Sequence, residues 1–292
     1  EPVKKATDFL AARIPKYLEE GNSLRTWPAA VGLIFHSESQ RAAPSETTAT
    51  AIGAIIAWLG RQQQACGGWG HDPTFQEKKS YPADLNSATN LVAIGLVAAK
   101  RAGIEVPGDM VHKILDYYAH SVHEKSEGGI LYCRDGFYRT NGRIENAVPE
   151  FGRTSAVIFV LKALGKTDSG FYAPAVDFFK KNMKGERLTE RISERRIGAV
   201  EDGHGCYGLG LFNGALAAWS QGEGTWTAFR GKVLDETLAA QRADGSYDIP
   251  GVAGKAGGGF EWIDSTIGRN YSTAIFAIAL AAPRGKLGIT SR

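Results

Sequence analysis

Two kinds of apolar segment alternate along the sequence, and this alternation restricts the fold more than any other feature. One kind is amphipathic and charged: VKKATDFLAARIPKYLEE (3–20), DMVHKILDYYAHSVHEK (109–125), YAPAVDFFKKNM (172–183) and WTAFRGKVLDETLAAQ (226–241). Apolar residues recur there with the helical period, which predicts helices with one buried stripe and one wetted face. The other kind is nearly uncharged and rich in Ala, Gly, Ser and Thr: SATNLVAIGLVAA (87–99), RTSAVIFVLKALG (153–165), CYGLGLFNGALAAW (206–219) and NYSTAIFAIALAA (270–282). A helix that is apolar all round is buried on all sides. Strict two-residue alternation is almost absent, so the chain should be mainly helical. Charged helices alternating with uncharged ones predict stacked helical hairpins.

Two stretches punctuate the repeat. WLGRQQQACGGWG (58–70) and LAAQRADGSYD (238–248) each place Gln at the end of a charged helix, then Gly, then an aromatic residue. The glycine can stop the helix in a left-handed cap, the Gln can bond the freed backbone, and the aromatic can fold back over the turn. EKSEGGILY (124–132) is a degenerate third copy. Residues 63–69 and 241–247 are therefore read as structural turns.

These turns resemble the QW-type repeats of terpenoid cyclases and protein prenyltransferases. The openings DLNSATNLVAIGLVAA and GCYGLGLFNGALAAW are similar to helices of the same superfamily. The closing pattern from Trp226 through LAAQRADGSYD to NYSTAIFAIALAAPRGKL resembles a group of bacterial prenyltransferase-like toroid proteins of unassigned activity. The resemblance covers most of the chain from about residue 50 onward. It implies an all-α fold, an α/α toroid of five or six helical hairpins, forming a single domain over 1–292.

Composition narrows the function classes. Basic and acidic residues nearly balance at 34 against 31, a net charge of +3. Nucleic-acid binders concentrate a basic face, and the one basic cluster, KGERLTERISERR (184–196), is interleaved with glutamates, so no nucleic-acid partner is expected. No apolar run reaches the ~20 residues that span a bilayer, so no transmembrane segment is expected either. Cys66, Cys133 and Cys206 are too few and scattered for a disulfide framework. The chain opens Glu-Pro-Val without methionine, which suits a processed or trimmed product; a secreted or periplasmic location is favoured over a cytoplasmic one.

Connection lengths locate the functional end. Links leaving the uncharged helices are short (103–109, 166–170, 221–225), whereas links entering them are long (66–84, 126–150, 184–202, 242–269). In an alternating barrel all long links share one rim, beside the N-termini of the uncharged helices, and long loops on a rigid scaffold carry function. Asp84, Asn86, Glu150, Arg153, Asp202, His204, Arg269, Asn270 and Tyr271 open those helices, and Trp69, His71, Tyr138 and Trp262 lie in the adjoining loops. The expected ligand-binding rim is Asn86, Tyr138, Arg143, Arg153, Trp262, Arg269 and Tyr271. Helix N-termini with Arg143, Arg153 and Arg269 would favour an anionic group on a small-molecule or peptide ligand. Two alternatives stay open: Asp84, Asp202 and Asn270 cap helices, and the arginines pair internally with Glu150, Asp202 or Asp264.

The family chemistries can be tested residue by residue. Cyclases of the squalene–hopene type protonate an alkene with an aspartate of a DxDD motif. The matching stretch here is Asp84-Leu85-Asn86-Ser87, whose middle position is an amide and cannot donate that proton. Prenyltransferases hold zinc through a nearby aspartate and cysteine plus a distant histidine. Asp202-Gly203-His204-Gly205-Cys206 resembles that opening, but the Asp–Cys spacing is four rather than two and no histidine follows His204. No cofactor is therefore expected, with a local zinc site on Asp202, His204 and Cys206 as the weaker alternative. Cys206 is read as a small buried hydrophobe. The reading is a toroid that binds a ligand at the long-loop rim without the DxDD acid or zinc triad. The alternative is an active glycan-cleaving or isoprenoid-processing enzyme, for which Asp84, Glu150, Asp202 and His204 are the catalytic candidates.

Overall fold

The computed structural model describes residues 2–20, 24–71, 84–122, 128–134, 137–140, 143–146, 149–183, 207–239, 241–247 and 269–291. The fold is all-α. In chain order its elements are α1 (Pro2–Glu20), α2 (Thr26–Ala42), α3 (Glu46–Gln62), α4 (Asn86–Arg101), α5 (Gly108–Ala119), β1 (Phe137–Thr140), β2 (Arg143–Asn146), α6 (Phe151–Ala163), α7 (Tyr172–Lys181), α8 (Tyr207–Ser220), α9 (Glu223–Phe229), a π turn (Arg230–Leu234), α10 (Asp235–Ala239) and α11 (Arg269–Ala281). The chain forms two compact units. One comprises Glu1–Ser121, Cys133–Ala147 and Leu287–Ser291; the other, Val122–Tyr132 and Val148–Lys286.

In the first unit α2 packs on α4, and α3 covers α2 and α1. Helix α3 starts where Ser45, in an extended conformation, accepts the Thr48 N–H on its side chain; Glu46 and Arg61 then complement the helix dipole at either end. Every residue of α4 from Asn86 to Ala99 is buried, as an uncharged helix requires. Gly95 sets the approach to α2: a Cβ there would stand 3.0 Å from Leu33 Cδ2 and 3.2 Å from the Ala30 carbonyl.

The second unit repeats the scheme with α6, α8 and α11 as its core series and α7 and α9 against it. Residues 151–161 of α6 and 207–218 of α8 are buried, whereas α11, expected to be buried on all sides, exposes Asn270, Ala274 and Ala277 and buries only one face, with Ser272, Phe276 and Ala279 on it. Phe151 stacks on Phe179 at 4.9 Å and lies parallel to Phe229 at 6.3 Å. Gly214 admits this cluster, since a Cβ there would meet both the Phe151 and Phe229 rings at 2.8 Å.

Three details differ from the sequence expectation. Helix α2 has no counterpart among the expected helices, because His36, Ser37 and Glu38 interrupt its uncharged character; His36 and Ser37 are nonetheless buried. Helix α5 ends at Ala119 rather than continuing to residue 125. Ser121 Oγ donates to the Tyr117 carbonyl at 2.8 Å, and Val122 leaves to pair with Ile130 in an antiparallel bridge. The long link before α6 contains the antiparallel pair β1–β2, register Phe137↔Asn146 to Thr140↔Arg143. Its sequence signal is Asn141-Gly142, the dipeptide that most favours a two-residue hairpin.

The turns that enter the core helices share one hydrogen-bond pattern. Gln63 Nε2 donates to the Gly67 carbonyl and Gln241 Nε2 to the Gly245 carbonyl, both at 2.9 Å. The Gln64 and Arg242 N–H groups donate to the Gly68 and Ser246 carbonyls, at 3.1 and 2.9 Å. Past each turn a main-chain N–H reaches a threonine of the next core helix. Trp69 donates to Thr89 Oγ1 at 2.9 Å, Ile130 to Thr154 Oγ1 at 3.0 Å, and Tyr247 to Thr273 Oγ1 at 3.0 Å. The degenerate third copy thus makes the same anchor as the other two. Gly67 and Gly128 have φ of 94° and 103°, and a Cβ on either would collide with main-chain atoms of Lys113 or of Pro174 and Ala175. Trp69 folds back as expected: its ring is buried and its indole N–H donates to the Leu59 carbonyl at 2.9 Å.

Removing an anchor oxygen strands a main-chain donor. Thr89→Val and Thr154→Val should each cost about 1–3 kcal/mol in urea denaturation, whereas Thr→Ser at either position keeps most of the stability. Equal losses for Val and Ser would show that the methyl group, not the oxygen, matters.

His36 gives the fold a pH dependence. Burial holds its pKa below 6.5, partly offset by the Leu10 carbonyl. The folded chain keeps the ring neutral while the unfolded chain protonates it, so this stability is fully present above about pH 6.5 and is lost progressively as pH falls from there toward the lower folded value. His36→Leu should flatten the decline in urea midpoint between about pH 7.5 and 5.5. An unchanged slope would exclude His36 as its source.

Candidate functional site

The residues that open the core helices are fastened more tightly than the sequence suggests. Asp84 precedes α4 and is half-buried, but it does not cap the helix. The N-cap is Leu85, which makes no side-chain cap. Asp84 Oδ2 instead accepts two hydrogen bonds at 2.9 Å, from the Tyr117 hydroxyl on α5 and from the Arg134 main-chain N–H. The aspartate therefore ties α5 and the segment before β1 to the mouth of α4. Asn86 is the first residue of α4 and fully buried. It lies inside the helix, one residue past the N-cap Leu85.

Around this carboxylate the network continues. Arg134 Nη1 donates to the Cys66 carbonyl at 3.1 Å, and Nη2 lies 3.7 Å from Asp116 Oδ2. Burial pushes the Tyr117 hydroxyl well above its ordinary range, and the neighbouring Asp84 charge adds to the shift. Burial also raises the Cys66 thiol, with Asp84 adding and Arg134 opposing. A thiol raised in this way is a poor nucleophile. Nearby, His71 Nδ1 accepts the Trp27 indole N–H at 2.9 Å, which leaves the other ring nitrogen to carry the proton. Burial lowers the His71 pKa.

In the second unit, Glu150 and Arg153 form a buried ion pair, Oε2 to Nη1 at 2.7 Å, with side-chain exposures of 3% and 1%. The Arg153 guanidinium also lies over the Tyr132 ring, 5.3 Å from its centroid. For Arg153 the structure realises the internal pairing that the sequence left open, and its charge is matched inside the fold. Glu150 is the N-cap residue of α6, yet its side chain makes no cap because it serves Arg153. Arg269 is the first residue of α11, and Tyr271 is half-buried on that helix. Tyr138 and Arg143 lie on β1 and β2, in register with Glu145 and Thr140 respectively. Asp202, His204, Cys206 and Trp262 lie outside the described residues, as does Asp264. Among the described residues no three His, Cys, Asp or Glu side chains gather into a metal-holding group.

Sequence reasoning missed Tyr117, Arg134 and Tyr132, and the anchoring role of Thr89, Thr154 and Thr273. The threonines carried a legible signal. Each follows a glycine-containing turn and sits within the first turns of an uncharged helix. Tyr117 carried none, because its bond to Asp84 spans 33 residues.

In comparison with known proteins, the family model described as "Domain of unknown function (DUF6288)" matches residues 1–291. No curated protein matches the chain.

The Asp84 network separates two variants. Asp84→Ala strands a fully buried hydroxyl and a main-chain N–H, and should cost about 2–4 kcal/mol of folding stability. Tyr117→Phe removes one donor and keeps the ring, and should cost less than about 1.5 kcal/mol. If Tyr117→Phe proved the more damaging, the carboxylate would not be the hub of this network.

Proposed function

We propose that this chain, which belongs to the DUF6288 family, is a prenyltransferase/terpenoid-cyclase-like α/α toroid. In this reading it binds a small-molecule or peptide ligand where its core helices begin. The alternation of helices from α3 onward, α3 with α4, α5 with α6, α7 with α8, and α9–α10 with α11, supports the toroid, as do the matching turns at 63–69 and 241–247. The observation that carries the binding reading is the state of the core-helix starts. Helices α4 and α6 begin on Leu85 and Glu150, neither of which caps with its side chain, although Glu150 has a carboxylate able to do so. Helix N-termini of this kind favour an acceptor or anion brought by a ligand.

Acid–base chemistry of the cyclase type finds little support here. Asp84 uses one oxygen to hold Tyr117 and Arg134, and Asn86 is an amide. A lyase-type carboxylate and arginine are present in Glu150 and Arg153, but they are spent on each other. An active enzyme remains the second reading, favoured by the half-exposure of Asp84 beside the entry to α4.

Arg143 and Arg269, rather than the buried Arg153, are the arginines to test. In a thermal-shift and calorimetric panel of anionic sugars, phosphates and acidic peptides, at least one class should bind the wild-type chain. Arg143→Gln with Arg269→Gln should weaken that binding by roughly tenfold, the worth of one or two charge-assisted hydrogen bonds. Binding by none of the panel, or binding unchanged in the double variant, would overturn the rim as an anion site.

A further inference from the structure

Two charged side chains, from α2 and α4, grip the main chain of a segment far away in sequence. Glu38 Oε2 accepts the Gly288 N–H at 2.6 Å and Oε1 accepts the Ile289 N–H at 2.7 Å. Arg101 Nη1 donates to the Gly288 and Ile289 carbonyls at 2.9 and 3.0 Å. Four main-chain groups of two consecutive residues are thus met by one carboxylate and one guanidinium. Arg41 steadies the carboxylate, 3.4 Å from Glu38 Oε2. Gly288, Ile289 and Thr290 are buried, and a Cβ on Gly288 would meet Arg41 Cδ at 2.8 Å and Glu38 Oε1 at 3.1 Å. The segment is also self-folded: Thr290 Oγ1 donates to the Leu287 carbonyl and Ser291 Oγ to the Gly288 carbonyl, at 2.9 and 2.7 Å.

This is how a docking site treats a peptide: backbone hydrogen bonds give the affinity, and a pocket for a small or apolar side chain gives the selectivity. Leu287–Ser291 belongs to the first unit, whereas the residues up to Lys286 belong to the second. The last three of these, Arg284, Gly285 and Lys286, are exposed and follow Pro283, with Gly285 at φ 60°. A self-contained segment joined to its site by a short exposed link is the arrangement that permits exchange between copies, because the contacts made within one copy and between two are the same.

We propose that Glu38 and Arg101 form a peptide-docking clasp that takes the Leu287–Ser291 segment of a second copy of this chain as well as its own. The clasp is separate from the core-helix mouths, so this inference stands or falls apart from the ligand reading above.

The test empties the clasp in the chain and offers the segment from outside. Ile289→Asp puts a carboxylate where the native side chain is 2% exposed, which expels the resident segment without touching Glu38 or Arg101. A fluorescent peptide of residues 285–291 should bind this variant at one site per chain and bind the wild type, whose clasp is filled, more weakly. Adding Arg101→Met should reduce peptide affinity by roughly tenfold. Mixed with wild type, the Ile289→Asp chain should form a heterodimer visible by native mass spectrometry. Should Ile289→Asp fail the far-ultraviolet and urea checks of folding, Gly288→Leu empties the clasp instead, through the contact with Arg41 and Glu38. A folded variant that binds no peptide, peptide binding indifferent to Arg101→Met, or the absence of any heterodimer would overturn the proposal.

Discussion

The structure depends on a hydrogen bond repeated at each described entry to a core helix, from a main-chain N–H just past a turn to a threonine oxygen. A chain buried against the core helices must find partners for its backbone within the protein. Thr89 and Thr154 supply one each from wholly buried positions. The carbonyls of the same turns are then reused. Trp69 O accepts the Leu85 N–H at 2.9 Å, and Ile130 O accepts the Glu150 N–H at 3.4 Å. Each turn is therefore sewn to the start of the next core helix by donors and acceptors running both ways.

The same burial governs the charges. A buried ion pair contributes little net stability, but deleting one partner strands the other, at about 3–5 kcal/mol. Glu150 and Arg153 stand in that relation at 2.7 Å. Their chemistry is consumed by the fold, and a loss of binding on replacing either would report on folding as much as on a ligand. Asp84 is different. Its two donors are a tyrosine hydroxyl and a main-chain amide, both neutral, and it remains half-exposed. Of the described carboxylates singled out from sequence, it is the one that still faces outward.

Long, strongly periodic segments were legible because burial leaves a direct mark on composition. The uncharged stretches 87–99, 153–165, 206–219 and 270–282 correspond to α4, α6, α8 and α11 within a residue or two, apart from Cys206, which lies outside the described residues. Helix α2 was not legible. It buries His36 and Ser37, and its Glu38 looks like an ordinary surface charge until its partners are known to be the main chain of residues 288 and 289. The pairing of Glu150 with Arg153 was half legible. Spacing of three permits the contact on a helix, but nothing in the sequence says whether the arginine turns inward to the glutamate or outward to a ligand. The link between Asp84 and Tyr117 crosses from a loop to another helix, and no local pattern encodes such a contact. For Asp202, His204, Cys206 and Trp262 the sequence reading remains an expectation, since they lie outside the described residues.

Among the described residues, main chain rather than side chains is recognised by the Gln63 and Gln241 amides, the threonine anchors, Asp84 and Arg134, and the Glu38–Arg101 clasp. A scaffold fastened through backbone atoms asks little of the residues it fastens beyond a glycine where a Cβ will not fit. The loop sequences between the anchors are then free to be set by what they contact outside the scaffold. That freedom is the physical reason to look for function in the long links and at the core-helix starts rather than in the helices. Asn86 is the first residue of α4, and the anchor at Thr89 does not depend on what stands at position 86. Architecture and chemistry are held by different atoms, so one can be kept while the other changes.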